Sequence, residues 1–240
     1  MEVGRLDILL EVALLSSHLA LPRKGHLEQV YHIFAYLKHC GKRRIYLDPT
    51  YPSISEDRFA IYDWTDFYRY AEEAIPPNMP EPRGKYMSLH CFVDSDHAGD
   101  KVTRRSQTGI LIFLNSAPII SYSKRQNSVE CSTYGSELVA MRQAIELVKS
   151  LRYKLRMFGI PIEGATDIFC DNESVYKNAS RPESVLSKKQ HSISYHSARE
   201  SVAAKIVRIA KESTLSNLSD LFTKTMNRPR RELLLDRFMY

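Results

Sequence analysis

Four acids in this 240-residue chain stand where carboxylates could do chemistry: Asp94, Glu137, Asp171 and Asp220. Asp94 closes the run Leu89-His90-Cys91-Phe92-Val93, whose apolar and polar residues alternate as in a strand. Asp171 closes a second β-rich run, Thr166 to Cys170. Glu137 falls early in a long stretch of helical spacing, and Asp220 in a shorter one near the C-terminus. If the two strands are neighbours, Asp94 and Asp171 come side by side, and a helix crossing the sheet brings Glu137 over them. Packed carboxylates repel and are costly to bury unpaired, so such a group calls for a cation. Two divalent ions roughly 4 Å apart would polarise a phosphate and activate a water. Mg2+ suits hard oxygen ligands, with Mn2+ as the alternative. Any one of these acids alone reads as a solvated turn residue. Asp96, His97 and Asp100 read as the loop around such a site, and Asn172 as a helix cap.

The elements that must position these acids follow from periodicity. Strands are expected at 87–94, 107–114, 118–124, 166–170 and 205–210. A long helix is expected over 131–158, outlined by Val139, Ala140, Gln143, Ala144, Leu147, Leu151 and Leu155 and ended by Gly159-Ile160-Pro161. Shorter helices are expected after Asp171, over 195–204, over 216–226 and over 230–239. The order βββαβαβα predicts an α/β fold, a mixed five-stranded sheet flanked by helices. Ahead of it, 6–20 and 25–39 read as a small helical hairpin with an apolar face, and Gly41 ends the second helix. Between them, 45–84 holds six of the eleven prolines and a dense set of aromatics, with a short helix near 64–74. It reads as an extended connector. The domain reading is therefore 1–44 hairpin, 45–84 connector, 85–226 α/β domain and 227–240 C-terminal tail.

Composition narrows the class. The net charge is +6, and the bases cluster. Arg104, Arg105, Lys124, Arg125, Lys188 and Lys189 are the candidate phosphate contacts, and a clustered positive surface points to a polyanion. No run of eighteen apolar residues occurs, so no membrane span is expected. Cys40, Cys91, Cys131 and Cys170 lack paired spacing, which argues against a zinc site and fits an intracellular chain, in cytoplasm or nucleus.

The residues carry a resemblance as well. Phe92-Val93-Asp94-Ser95-Asp96-His97-Ala98-Gly99-Asp100 followed by Arg104-Arg105-Ser106-Gln107-Thr108-Gly109 resembles the first ribonuclease H motif of copia-type retrotransposon polyproteins. Ser123-Lys124-Arg125-Gln126, Ser136-Glu137-Leu138-Val139-Ala140, Cys170-Asp171-Asn172, Tyr195-His196 with Arg199-Glu200, and Ser219-Asp220-Leu221-Phe222-Thr223-Lys224 are similar to later motifs of that family, in the same order. Leu15-Ser16, Pro22, His26 and Tyr36-Leu37-Lys38 resemble the end of its reverse-transcriptase region. The resemblance implies a ribonuclease H-like fold, with Asp94, Glu137, Asp171 and Asp220 as catalytic, metal-binding carboxylates. It implies cleavage of the RNA strand of RNA–DNA hybrids, and the polymerase part of the same polyprotein as partner. It also implies a C-terminal piece of a polyprotein, since no Tyr-X-Asp-Asp occurs. Two departures stand out. Residues 212–218 lack the proline and acids the family carries before its last aspartate, and no histidine follows His196. These favour the alternative, an inactive remnant that at most binds nucleic acid. An integrase-like order of acids is disfavoured, because Glu137 comes second.

Overall fold

The computed structural model describes residues 4–240. Its regular elements are α1 (Leu9–Ser16), α2 (Lys24–His39), α3 (Thr65–Tyr68), β1 (Leu89–Asp96), β2 (Gln107–Leu114), β3 (Ala117–Arg125), α4 (Thr133–Met157), β4 (Thr166–Cys170), α5 (Glu173–Ser180), α6 (Ser192–Ala203), β5 (Val207–Lys211) and α7 (Arg228–Leu235). The five strands form one sheet in the order β3-β2-β1-β4-β5. β1, β2 and β3 are antiparallel, and β4 and β5 run parallel to β1. This is the mixed five-stranded sheet expected from the order of elements.

Alternation along β1 builds two cores. Leu89, Cys91 and Val93 join Ile110, Ile112 and Ile168 against the face of α4 formed by Leu138, Met141, Ala144, Ile145 and Val148. Those helix positions recur every three or four residues, so a single stripe of α4 lies on the sheet. Each fully buried large apolar side chain contributes about 1.5–3 kcal/mol, which is enough to fix the helix in place. Ser132 caps α4, its hydroxyl accepting from the Gly135 amide at 3.2 Å, and Lys154 and Arg156 complement the dipole of the last turn. On the opposite face, Leu111 and Phe113 pack with Leu6, Leu218, Leu221, Phe222, Leu234, Leu235, Phe238 and Met239. Residues 227–240, set apart above as a tail, thus carry α7 and close this second core.

The connector has little regular structure and is tied down by charge. Glu73 accepts from Arg152 and Arg156 near the C-terminal end of α4, at 2.5–2.9 Å. Arg208 joins Glu56 to Asp167, and Arg58 meets Glu212 at 2.6 Å. The Arg199 guanidinium, fully buried, lies 4.8 Å from the ring centres of Trp64 and Tyr195 and donates to the carbonyls of Asn178, Arg181 and Pro182.

Several boundaries move for identifiable reasons. The helix expected over 6–20 is a 3-10 turn followed by α1, which stops at Ser16. The Ser16 and Ser17 hydroxyls turn back to the carbonyls of Ala13 and Leu14 there. The helix near 64–74 is only α3. Strand five starts at Val207, because Lys205 sits at φ +56° in the preceding turn. The helix expected over 216–226 is a 3-10 turn, Leu218–Phe222.

Candidate active site

Register places the acids. Val93 pairs with Cys170 across the parallel β1–β4 ladder, so Asp94 and Asp171 emerge next to each other at the carboxyl ends of adjacent strands. Glu137, in the second turn of α4, reaches down onto them. One carboxylate oxygen from each of Asp94, Glu137 and Asp171 lies within 4.8 Å of the others. Asp94 is fully buried and Glu137 nearly so, while Asp171 is half-buried.

Burial and mutual repulsion set the electrostatics. Desolvation, followed by the charges of Asp94 and Asp171, pushes Glu137 well above its ordinary range. Lys224 offsets less than either of those acids adds. Desolvation also pushes Asp94 up, to about 6, even though Lys224 and Thr223 both donate to it. Three oxygen donors and an open side fit a hard divalent ion that keeps part of its water shell.

Asp220 is outside that trio. Its Oδ1 accepts from the Lys224 ammonium at 2.9 Å and its Oδ2 from the Arg230 guanidinium at 2.7 Å. The same ammonium donates to Asp94 Oδ1 at 3.0 Å, while the Thr223 hydroxyl donates to Asp94 Oδ2. Lys224 therefore bridges Asp94 and Asp220. The 3-10 turn that carries Asp220 is held over the sheet by two devices. Asn217 donates to the Val93 carbonyl at 3.2 Å and accepts from Ser219, anchoring the turn to β1. Gly109, paired with Asp94, leaves room for it: a Cβ there would stand 2.6 Å from Thr223 Cγ2 and 2.7 Å from the Ser219 carbonyl oxygen. The segment that departs from the family pattern thus supplies its own anchor, Asn217.

The loop after β1 is also built. Asp96 accepts from the Gly99 amide, and a Cβ at Gly99 would overlap the Asp96 carboxylate at 1.8 Å. Asp100 accepts from Val102, Thr103 and Arg125 and is held well below the usual carboxylate range, chiefly by the Thr103 hydroxyl. His97 faces the Ser136 hydroxyl at 3.4 Å. His196 lies against the connector, with Nδ1 2.6 Å from the Tyr68 hydroxyl. Among the basic candidates, Arg105, Lys124 and Arg125 line one groove beside α1, and Arg104 lies exposed in the adjoining loop. Arg125 is paired with Asp100 at 2.7 Å. Lys188 and Lys189 lie apart from these, exposed ahead of His191, whose ring packs on Gly135 in the first turn of α4.

The reading from residue types missed Lys224, Arg230, Asn217 and Gly109. Lys224 carried a usable signal, since it stands four residues after Asp220, a spacing at which opposite charges meet on a helix.

No family model matches the chain. Over 146 residues it is 30% identical to the retrovirus-related Pol polyprotein from transposon RE1 of Arabidopsis thaliana, an alignment covering 61% of this chain and 10% of that protein. It is 28% identical, with the same coverage, to the corresponding polyprotein from transposon RE2 of Arabidopsis thaliana. The polyprotein from transposon TNT 1-94 of Nicotiana tabacum is 29% identical over 145 residues, covering 60% of this chain and 11% of the relative. The chain spans about a tenth of the length of the curated relatives it matches. These relatives are of the retrotransposon polyprotein kind that the motifs resemble. Among solved structures, LC11-RNase H1 in complex with RNA/DNA hybrid is similar at 12% identity and TM-score 0.46, covering 57% of this chain and 94% of that one. The N-terminal RNase H domain of rv2228c from Mycobacterium tuberculosis is similar at 10% identity and TM-score 0.42, covering 62% of this chain and 97% of that one.

Proposed function

We propose that the chain is the ribonuclease H part of a retrotransposon polyprotein and cuts the RNA strand of RNA–DNA hybrids during reverse transcription. The observation that carries this reading is the convergence of Asp94, Glu137 and Asp171 at the carboxyl ends of β1 and β4, with Glu137 pushed up by burial and by those two acids. Asp94, Glu137 and Asp171 would hold Mg2+ or Mn2+, with Asp220 completing a two-ion site. When bound, the ions supply Lewis-acid polarisation of the phosphate and an activated water. The protein's part is to keep the carboxylates converged on rigid strand ends and to hold the phosphate backbone in line. Arg104, Arg105, Lys124 and Arg125 on one side, and Lys188 and Lys189 ahead of α6, would contact phosphates. Recognition would rest on duplex shape and 2′-hydroxyls rather than on sequence.

The second reading is a remnant that binds nucleic acid without cutting it. One observation favours it: both oxygens of Asp220 are already taken by cationic side chains. A labelled hybrid incubated with the chain across a Mg2+ and Mn2+ series separates the two. The enzyme reading expects metal-dependent cleavage of the RNA strand. In Asp94→Asn the rate should fall further than the roughly 10–100-fold that follows loss of an outer-shell partner at a metal site. Binding without cleavage at any metal concentration decides for the remnant.

A further inference from the structure

We propose that Lys224 is a resident cation of the acid cluster, so that the free protein takes a single divalent ion, at Asp94, Glu137 and Asp171, while the ammonium withholds Asp220 from a second. The inference rests on the metal-site reading above and deepens it. Its first support is geometric. The Lys224 ammonium stands between two carboxylates, 3.0 Å from Asp94 Oδ1 and 2.9 Å from Asp220 Oδ1. An ion bridging Asp94 and Asp220 must take the place of that ammonium. Its second support is charge. With every acid ionised, four carboxylates face two cations, Lys224 and Arg230, and the two negative charges left over match one divalent ion. Its third support is the contrast in exposure. The side chains of Asp94 and Asp220 are 0% and 2% exposed, and that of Lys224 is 40% exposed on a flexible stem. The acids are fixed and the lysine can swing away, as it would when a substrate phosphate offers the ammonium another partner.

A purely structural ion pair would also join these residues, tying the 3-10 turn to β1. The two roles differ in what they do to metal binding. A structural pair stabilises the turn and leaves the number of bound ions alone. A resident cation sets that number.

The test counts ions on the full chain without substrate. Metal-free protein is titrated with Mn2+, free Mn2+ is read by electron paramagnetic resonance, and heats are read by calorimetry, with Asp171→Asn as the background for the trio. Wild type should bind one ion through the trio. Lys224→Gln should bind two, the second at least about tenfold more tightly than any second binding by wild type, because a unit charge a few ångströms away has been removed. Lys224→Arg keeps the charge and should stay at one, which separates loss of charge from loss of fold. If Lys224→Gln binds one ion with unchanged affinity, or wild type binds two equally well, Lys224 is not a resident cation and the metal-site reading survives. If wild type binds none above background, both fall.

Discussion

The two ends of α4 meet the same kind of side chain in opposite states. Near its C-terminus, Glu73 is gripped by Arg152 and Arg156 and held below its ordinary value despite desolvation. Near its N-terminus, Glu137 faces Asp94 and Asp171 and is pushed well above it. Burial penalises both glutamates. At Glu73 two guanidiniums reverse that penalty, and at Glu137 two carboxylates add to it. A clamp and a candidate ligand site are thus built at the two ends of one helix, and a buried acid is informative only with its neighbours named.

Exchanging each glutamate for glutamine sharpens this contrast most. Glu137→Gln should lower metal-dependent hybrid cleavage by more than about a hundredfold, while stabilising the metal-free fold by on the order of 1 kcal/mol. Glu73→Gln should do the reverse. It should leave cleavage within a few-fold and destabilise the fold by about 2–3 kcal/mol, at the low end for a buried pair because the connector is partly solvated. Urea unfolding alongside the cleavage assay reads both, and parallel losses of activity in the two variants would break the comparison.

The pH dependence is smaller and has opposite signs at the two ends. Asp94 titrates at about 6 in the fold against an ordinary 3.8, and Glu137 is also raised, so the folded state holds these protons more tightly. Their contribution is present below the unfolded values and is lost as pH rises through the folded ones. Glu73 is lowered from 4.5, so its contribution is present above that value and is lost as pH falls through the lower one. His90, buried and lowered from 6.5 to about 4, has the opposite slope in that window, so the acid cluster is read by difference. In chelator, the stability of wild type relative to Glu137→Gln should decline as pH rises above about 4, because His90 contributes equally to both. Saturating Mg2+ should abolish that difference in slope. A relative rise over that window in metal-free protein would reverse the assignment at the N-terminal end.

Free and paired cations give the finest test. Lys124 is exposed and Arg125 is held by Asp100. In hybrid binding, Lys124→Ala should reduce the slope of log affinity against log salt by about 1, and Arg125→Ala by less. Equal slopes for the two variants would show that the Asp100 pairing does not matter to the interface.

The sheet was legible because β1, β2 and β4 alternate or run apolar between polar stops, and α4 because its stripe is long. Asp94 and Asp171 could be set side by side once strand one was put next to strand four. The boundaries that moved lie where side chains compete with the backbone, as at Ser16 and Ser17, or where tertiary contacts replace helix, as at Leu218–Phe222 between Asn217 and Gly109. Arg230 is one of three arginines in 228–231, and nothing in that local pattern marks it out. Its partner lies ten residues away in a turn whose direction local pattern does not fix.

The backbone bonds that join Arg44 to Tyr240 have a consequence for how the molecule assembles. The α4 side of the sheet draws on residues 89–209 and can consolidate by itself, whereas the other side needs Leu6, Ile45 and Met239 together. Contacts this distant along the chain form slowly, because a very long loop must close first. During synthesis the α4 core would exist while Asp220 still waited for Arg230, leaving one sheet face apolar and open. That interval is when the chain is most prone to aggregate, and holding it on a chaperone until the last turn of α7 has emerged should raise the soluble yield.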